Sequence, residues 1–121
     1  NLNEKFNPEI YEKLLNQERV VGFGEIGLDY YRTEKSEDQK IQKQRFGQQL
    51  ELAKKVKKPI VLHCREAHQE MLKIISSNRD SNLKGVIHSF TGTLEEAKKY
   101  LNLKFIWVLT ESSLLPTSTT K

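Results

Sequence analysis

The stretch "PIVLHCREA", residues 59–67, decides the fold class of this 121-residue chain. Ile60, Val61 and Leu62 form a continuous apolar run, which is typical of a strand buried on both faces of a parallel sheet. A histidine follows the run directly, and the next segment, "EAHQEMLKIISSN", has the apolar spacing of a helix. The stretch therefore predicts a strand-helix unit with a polar side chain at the carboxyl end of its strand.

The same alternation of strand and helix extends to both sides of this stretch. Further strands are predicted in "RVVGFG", "KGVIHSF" and "KFIWVL". Helix-capping signals stand at three places: Asn7 with Pro8, Ser36 with Gln39, and Thr93 with Glu96. The order α-β-α-β-α-β-α-β predicts an α/β fold of parallel strands with crossover helices. We expect this domain to cover residues 1–109, and residues 110–121 to form an irregular Ser/Thr-rich tail.

Composition narrows the class of protein. Twenty Lys and Arg against 16 Asp and Glu give a net charge of +4, which is compatible with an anionic substrate and equally with an ordinary solvated surface. No stretch approaches the roughly 18 apolar residues of a membrane span, and the first residues do not form a secretory signal. The one cysteine, Cys64, excludes an internal disulfide. We expect no membrane association and a reducing compartment, cytoplasmic or nuclear.

Three consecutive predicted strands carry a side chain that can bind a metal ion: Glu25, His63 and His88. The alternation of side chains along a strand predicts three sets that share a face: Val21, Phe23 and Glu25; Val61, His63 and Arg65; and Val86, His88 and Phe90. If these faces turn to one interior, a carboxylate and two imidazoles meet at the carboxyl ends of the strands. Parallel α/β folds place their functional sites there.

Two imidazoles and one carboxylate form a ligand set of catalytic metal sites. A divalent ion held there would activate water and polarise a phosphoryl oxygen, and Arg65 would clamp an anionic group. The alternative is that each side chain has a structural role, with Glu25 paired to a lysine.

Four other polar residues near these strands are less informative. Asp29, Tyr30 and Arg32 would either touch a substrate or brace their loop. His68 lies inside a predicted helix, and we expect it on the surface.

Three motifs, "GEIGLDYYR", "LHCREA" and "HSFTG", resemble signatures of the TatD family of metal-dependent deoxyribonucleases, which are amidohydrolase-like TIM barrels. The resemblance runs from about Arg19 to Leu103. It implies a partial (β/α)8 TIM-type barrel and a centre that hydrolyses DNA or another phosphodiester. It also implies that Glu25 bridges two divalent metal ions (Mg, Mn or Zn), that His63 and His88 bind one of them, and that Glu25 and Arg65 serve catalysis.

The sequence departs from the family pattern in two ways. The family opens with a strand carrying a His-x-His pair, whereas the histidines here are His63, His68 and His88. A late aspartate of the family pattern is also missing. We therefore expect a chain truncated at both ends, whose apolar sheet edges favour self-association. Three functions stay open: a metal-dependent DNase, a non-catalytic truncated isoform or pseudoenzyme, and another amidohydrolase-like metal hydrolase.

Overall fold

Four helices and four strands alternate along residues 6–107, the part of the chain that the computed structural model describes. The helices are α1 (Pro8–Leu15), α2 (Ser36–Val56), α3 (His68–Ser77) and α4 (Leu94–Asn102), and the strands are β1 (Phe23–Asp29), β2 (Ile60–Arg65), β3 (Gly85–Ile87) and β4 (Phe105–Trp107). The strands form one sheet in the order β1-β2-β3-β4, and every neighbouring pair is parallel. The predicted α/β fold of parallel strands with crossover helices is confirmed.

The hydrophobic core lies between one face of this sheet and the helices. In β2 the alternation is regular: Ile60, Leu62 and Cys64 are buried, while Val61 and His63 are half-buried and Arg65 is exposed. Helices α2, α3 and α4 contribute Phe46, Leu50, Met71, Ile75 and Tyr100, all of them fully buried. Residues 61, 63 and 65 therefore share the less covered face of the sheet, as predicted.

Strand β1 differs from the prediction in position and in alternation. It begins at Phe23, inside the predicted run of residues 19–24, and extends beyond that run to Asp29, whereas Val21 is 80% exposed. Its pairing with β2 shifts between Gly24 and Ile26, so that Phe23 and Ile26 are both buried although they are three residues apart. A bulge of this kind interrupts the two-residue period. The prediction that Val21, Phe23 and Glu25 share one face is therefore wrong.

Glycine makes the close pairing of β1 with β2 possible at Gly27. Its φ of +149° is in a region that side-chain-bearing residues rarely adopt. A Cβ atom there would lie 1.9 Å from the carbonyl oxygen of His63. Gly27 thus lets the backbone of β1 approach β2 directly beside a predicted metal ligand.

Two of the three predicted helix caps form. The Asn7 side chain accepts hydrogen bonds from the backbone N–H groups of Glu9 and Ile10, and Thr93 and Glu96 make a complete capping box. The predicted box at Ser36 is wrong, because Lys35 is the N-cap of α2 and the Gln39 side chain donates to the Thr33 carbonyl at 2.7 Å instead. Within residues 6–107, no helix has the length and apolar character needed to cross a bilayer. Residues 108–121, including the predicted tail and the end of the predicted fourth strand, lie outside the described residues.

Candidate metal centre

The predicted ligands lie on three neighbouring strands: Glu25 in β1, His63 in β2, and His88 directly after β3. His88 follows the last residue of β3, and its N–H donates to the Leu62 carbonyl of β2 at 3.0 Å. Glu25 and His63 lie inside their strands, two residues or more before the end, so that only His88 stands at a strand end as predicted. The β1–β2 pairing places Gly27 beside His63, two residues beyond Glu25. All three side chains are therefore on the half-exposed side of the sheet.

Two carboxylate–imidazole pairs form on this face of the sheet. Glu25 Oε2 lies 3.1 Å from His88 Nδ1, and Asp29 Oδ2 lies 2.9 Å from His63 Nε2. Since β2 lies between β1 and β3, the Glu25–His88 pair spans β2 near Leu62, in the middle of that strand. The four side chains are between 41% and 57% exposed, so both pairs are accessible from solvent.

The donor atoms suit a divalent cation by their chemistry, since imidazole nitrogen and carboxylate oxygen are ordinary ligands of Zn²⁺ and Mn²⁺. Each pair occupies one ring nitrogen and leaves the second, His63 Nδ1 or His88 Nε2, to face a ligand. Among residues 6–107, however, no three His, Cys, Asp or Glu side chains converge closely enough to hold an ion as they stand. The prediction that Glu25, His63 and His88 bind a metal therefore stays a prediction.

Asp29 is one of the residues whose role the sequence left open, and several hydrogen bonds hold it in place. Its Oδ1 accepts the N–H of Tyr31 at 3.0 Å, which fixes the turn after β1. The Gln42 side chain of α2 accepts from the Asp29 N–H and donates to the Asp29 carbonyl, both at 2.9 Å. Asp29 therefore braces its loop and at the same time orients the ring of His63, as carboxylates behind metal-binding histidines do.

A cavity of about 650 Å³ opens beside these pairs. Its lining includes Glu25, Asp29 and His63 from the sheet, Tyr31 from the turn, and Gln42, Arg45 and Gln49 from one face of α2. This volume is within the range of small-molecule sites, and its polar lining fits a charged ligand better than an apolar one.

The Arg65 guanidinium does not line this cavity but lies over the ring of Tyr31. Its Cζ atom is 3.6 Å from the ring centroid, and the Cζ atom of Arg32 is 5.1 Å from the same centroid. Among the described residues no carboxylate is within salt-bridge distance of Arg65. Two cations therefore share one aromatic ring at the rim of the cavity.

His68 is buried, and the expectation that it lies on the surface is wrong. It is the first residue of α3 and only 9% exposed, with Nδ1 2.8 Å from the Tyr100 hydroxyl of α4. Phe90 packs against both rings and is itself buried, because the chain turns at Ser89, which has a φ of 56°. The prediction that Phe90 shares a face with His88 is therefore also wrong.

Cys64, His68 and Tyr100 form a second, buried cluster, and burial shifts the pKa of each of these three side chains. It raises the pKa of the Cys64 thiol to about 12, against the opposing effect of a hydrogen bond with Tyr100. It raises the pKa of Tyr100 and lowers that of His68, the latter against the attraction of the Glu96 carboxylate. These groups are therefore neutral near pH 7.

The described part of the chain leaves two buried polar atoms without a hydrogen-bond partner, His68 Nε2 and the hydroxyl of Tyr30. Burial also raises the pKa of Tyr30, and the Glu70 carboxylate acts in the same direction. Tyr30 and Tyr31 are both half-buried as whole residues, but the hydroxyl of Tyr30 is buried.

The motifs around these pairs are shared with known proteins. Residues 2–118 match the sequence profile of the TatD related DNase family. The chain belongs to this family. The match is wider than the stretch from Arg19 to Leu103 on which the resemblance of the motifs rests.

Individual relatives agree with this assignment. The chain is 41% identical over 102 residues to an uncharacterized metal-dependent hydrolase of Buchnera aphidicola, and 40% identical over 89 residues to the 3'-5' ssDNA/RNA exonuclease TatD of a Pantoea species. These matches cover 84% and 74% of this chain, but only 38% and 34% of the two relatives. The chain thus spans little more than a third of the length of the curated relatives it matches.

A solved structure shows the same fold. The crystal structure of YJJV, a TatD homologue from Escherichia coli, superposes with a TM-score of 0.72 at 28% identity, covering 83% of this chain and 38% of that one. The four-stranded parallel sheet with its helices therefore corresponds to part of a TatD-type α/β barrel, as the motifs predicted.

Proposed function

We propose that this chain carries part of the active site of a metal-dependent phosphodiesterase that acts on DNA. The observation that carries the proposal is a pair of carboxylate–imidazole contacts on the less covered face of the sheet. Glu25 contacts His88, and Asp29 contacts His63. In this proposal Glu25, His63 and His88 bind a divalent ion, and Asp29 orients His63.

The chemistry supplied by such an ion when bound is polarisation of a phosphoryl oxygen and activation of water near neutral pH. The side chains of this chain have separate tasks around it. Glu25 lines the cavity with its side chain, and Asp29 fixes the tautomer of His63 by its contact with Nε2. Arg65 contacts a non-bridging oxygen of the phosphodiester and offsets its charge.

DNA as the substrate is supported by one relative and by the charge of the rim. The Pantoea relative is named as an exonuclease for single-stranded DNA and RNA. In this chain the guanidinium groups of Arg65 and Arg32 each lie over the ring of Tyr31, which lines the same cavity as Glu25 and His63. A phosphate group is an anion that a guanidinium group binds through paired hydrogen bonds.

The proposal is tested by titrating the purified chain with Mn²⁺ and then assaying single-stranded DNA cleavage. We expect binding that weakens at least about 100-fold in His88→Ala and Glu25→Ala, and cleavage that Glu25→Ala abolishes. The matched control is His68→Gln, which changes the one histidine outside the centre and leaves both properties unchanged. Cleavage that survives Glu25→Ala would overturn the proposal, because the activity would not come from this site.

A second candidate is a chain that binds metal or a partner without turnover. It is favoured because, within residues 6–107, no three potential metal ligands converge at one point. Its partner would be a second copy or a longer relative that pairs with β1 or β4, each of which has a neighbouring strand on one side only in the described sheet. Light scattering that shows a dimer, together with metal binding and no DNA cleavage, would favour this candidate.

A third candidate, another amidohydrolase-like metal hydrolase, shares the metal site and differs in its substrate. A panel of phosphomonoesters, phosphodiesters and amides, tested with the same Glu25→Ala control, separates it from a DNase. Cleavage of an amide in preference to a phosphodiester would favour this candidate.

A further inference from the structure

We infer that Tyr31 is the positioning residue for Arg65: its ring holds the guanidinium at the rim of the cavity, ready to contact a phosphate of the substrate. The inference rests on the proposed function for its ligand, and on the geometry of Tyr31 and Arg65 for its mechanism. It gives a defined task to Tyr31, a residue of the motif "GEIGLDYYR" for which the sequence predicted no role.

The backbone first fixes where the ring lies. Asp29 Oδ1 accepts the N–H of Tyr31 at 3.0 Å, and the N–H of Tyr30 donates to the Arg65 carbonyl at 2.9 Å. The turn after β1 is therefore closed by the Asp29 side chain and tied to the end of β2 through the backbone of Tyr30. Asp29 connects this turn to His63, so that the ring and the imidazole share one support.

The contact then fixes the guanidinium. At 3.6 Å from the ring centroid, Cζ of Arg65 is in van der Waals contact with the face of Tyr31. A contact of this kind uses the face of the guanidinium and leaves the N–H groups at its edge to donate. A carboxylate partner would occupy those donors, and within the described residues none is in reach. Arg65 is thus ordered without being neutralised.

Position and charge define the ligand. Tyr31 lines the same cavity as Glu25 and His63, which places the Arg65 guanidinium next to the predicted metal ligands and not within them. A group that meets a cation from Arg65 and a metal ion from the other side is an anion with several oxygens. A phosphodiester of single-stranded DNA has this chemistry, and its binding is sensitive to salt.

The experiment is a thermodynamic cycle measured by fluorescence anisotropy with a short single-stranded oligonucleotide in Mn²⁺, over a range of salt concentrations. The variants are Tyr31→Phe, Tyr31→Leu, Arg65→Ala and the double variant Tyr31→Leu/Arg65→Ala. Tyr11→Leu, at a 43% exposed tyrosine of α1, is the matched control for loss of a ring. Thermal melting checks that each variant is folded.

We expect Arg65→Ala to weaken binding and to reduce the salt slope by about 0.7, the value for one phosphate contact on a single strand. Tyr31→Leu should weaken binding about two- to fivefold, the range of an exposed cation–π contact. Tyr31→Phe should bind like the wild type, since the ring is kept. In the Arg65→Ala background Tyr31→Leu should have no further effect.

The experiment distinguishes failure of the positioning role of Tyr31 from failure of the proposed function. If Tyr31→Leu weakens binding equally with and without Arg65, or if Tyr31→Phe is as weak as Tyr31→Leu, the positioning role is overturned while the proposed function stands. If the wild-type chain binds neither the oligonucleotide nor inorganic phosphate, the proposed function fails and the inference fails with it.

Discussion

His63 and Cys64 are neighbours in β2, yet they belong to two different polar clusters on opposite faces of the sheet. His63 is 41% exposed and pairs with Asp29 beside an open cavity, whereas Cys64 is buried near Tyr100 and His68. Both clusters contain a histidine with a hydrogen-bonded partner at 2.8–2.9 Å. The difference is charge: carboxylates stand opposite the exposed imidazoles, and a neutral hydroxyl stands opposite the buried one. The exposed cluster is suited to a cation and the buried cluster to holding α3 and α4 together.

The largest expected effect concerns the reactivity of Cys64. Because burial raises its pKa to about 12, the thiolate is scarce near pH 8 in the folded chain. We expect an aromatic disulfide reagent to react on the order of 1000-fold more slowly with the folded chain than with the chain in urea. Stopped-flow absorbance measures both rates. A difference of less than about tenfold would show that Cys64 is accessible and would remove the contrast between the two faces.

The next effect concerns the energy of the buried cluster. Tyr100→Ala removes a fully buried ring and the partner of His68 Nδ1, and should lower the free energy of unfolding by about 3–5 kcal/mol. Tyr100→Phe removes the hydroxyl alone and should cost about 1–3 kcal/mol. Urea denaturation measures both, with His88→Ala as the control on the exposed face, where we expect a cost below about 1 kcal/mol. Equal costs on the two faces would contradict the comparison.

The third effect concerns the support of His63. Asp29→Asn keeps the shape of the side chain but places a donor or a neutral oxygen opposite His63 Nε2. Loss of such a carboxylate behind a metal-binding histidine reduces metal affinity by about 10- to 100-fold. Isothermal titration with Mn²⁺ measures the change, and Asp80→Asn, in an exposed loop, is the matched control. Unchanged affinity in Asp29→Asn would mean that Asp29 braces the loop and does nothing for the site.

The smallest effect is the pH dependence of the buried histidine. Burial lowers the pKa of His68 in the folded chain, so below about pH 6.5 the unfolded chain binds a proton there that the folded chain does not. The free energy of unfolding should therefore fall as the pH drops through this window, by at most about 1.4 kcal/mol per pH unit, until the folded pKa is reached. Urea denaturation between pH 7.5 and 5 measures the slope. His68→Gln should remove it, and an unchanged slope in that variant would assign the effect to other groups.

The parts of the fold that depend on local patterns could be predicted from the sequence. The prediction that Val61, His63 and Arg65 share one face of the sheet needed only the two-residue period of a strand. The cap at Thr93 needed only the spacing to Glu96. Both signals act within a few residues, and the structure agrees with both.

The parts that failed depend on contacts between distant segments. The bulge in β1 arises where Gly24 approaches the backbone of Val61, and no period within β1 shows it. His68 is buried because α4 supplies the hydroxyl of Tyr100, 32 residues away. The role of Asp29 depends on Gln42 of α2, which holds its backbone on both sides. A sequence pattern does not contain such partners, although the two-residue spacing from Asp29 to Tyr31 was a usable signal for the turn.

The most direct test of the metal site is long-range ¹H–¹⁵N NMR of the three imidazole rings during titration with Zn²⁺. A ring nitrogen that binds a metal changes its ¹⁵N shift, so each histidine reports on itself. We predict that the ring signals of His63 and His88 shift together at one equivalent of Zn²⁺, while those of His68 do not change. Separate titration of His63 and His88, or a shift of His68 with them, would contradict the account that one divalent ion binds on the exposed face.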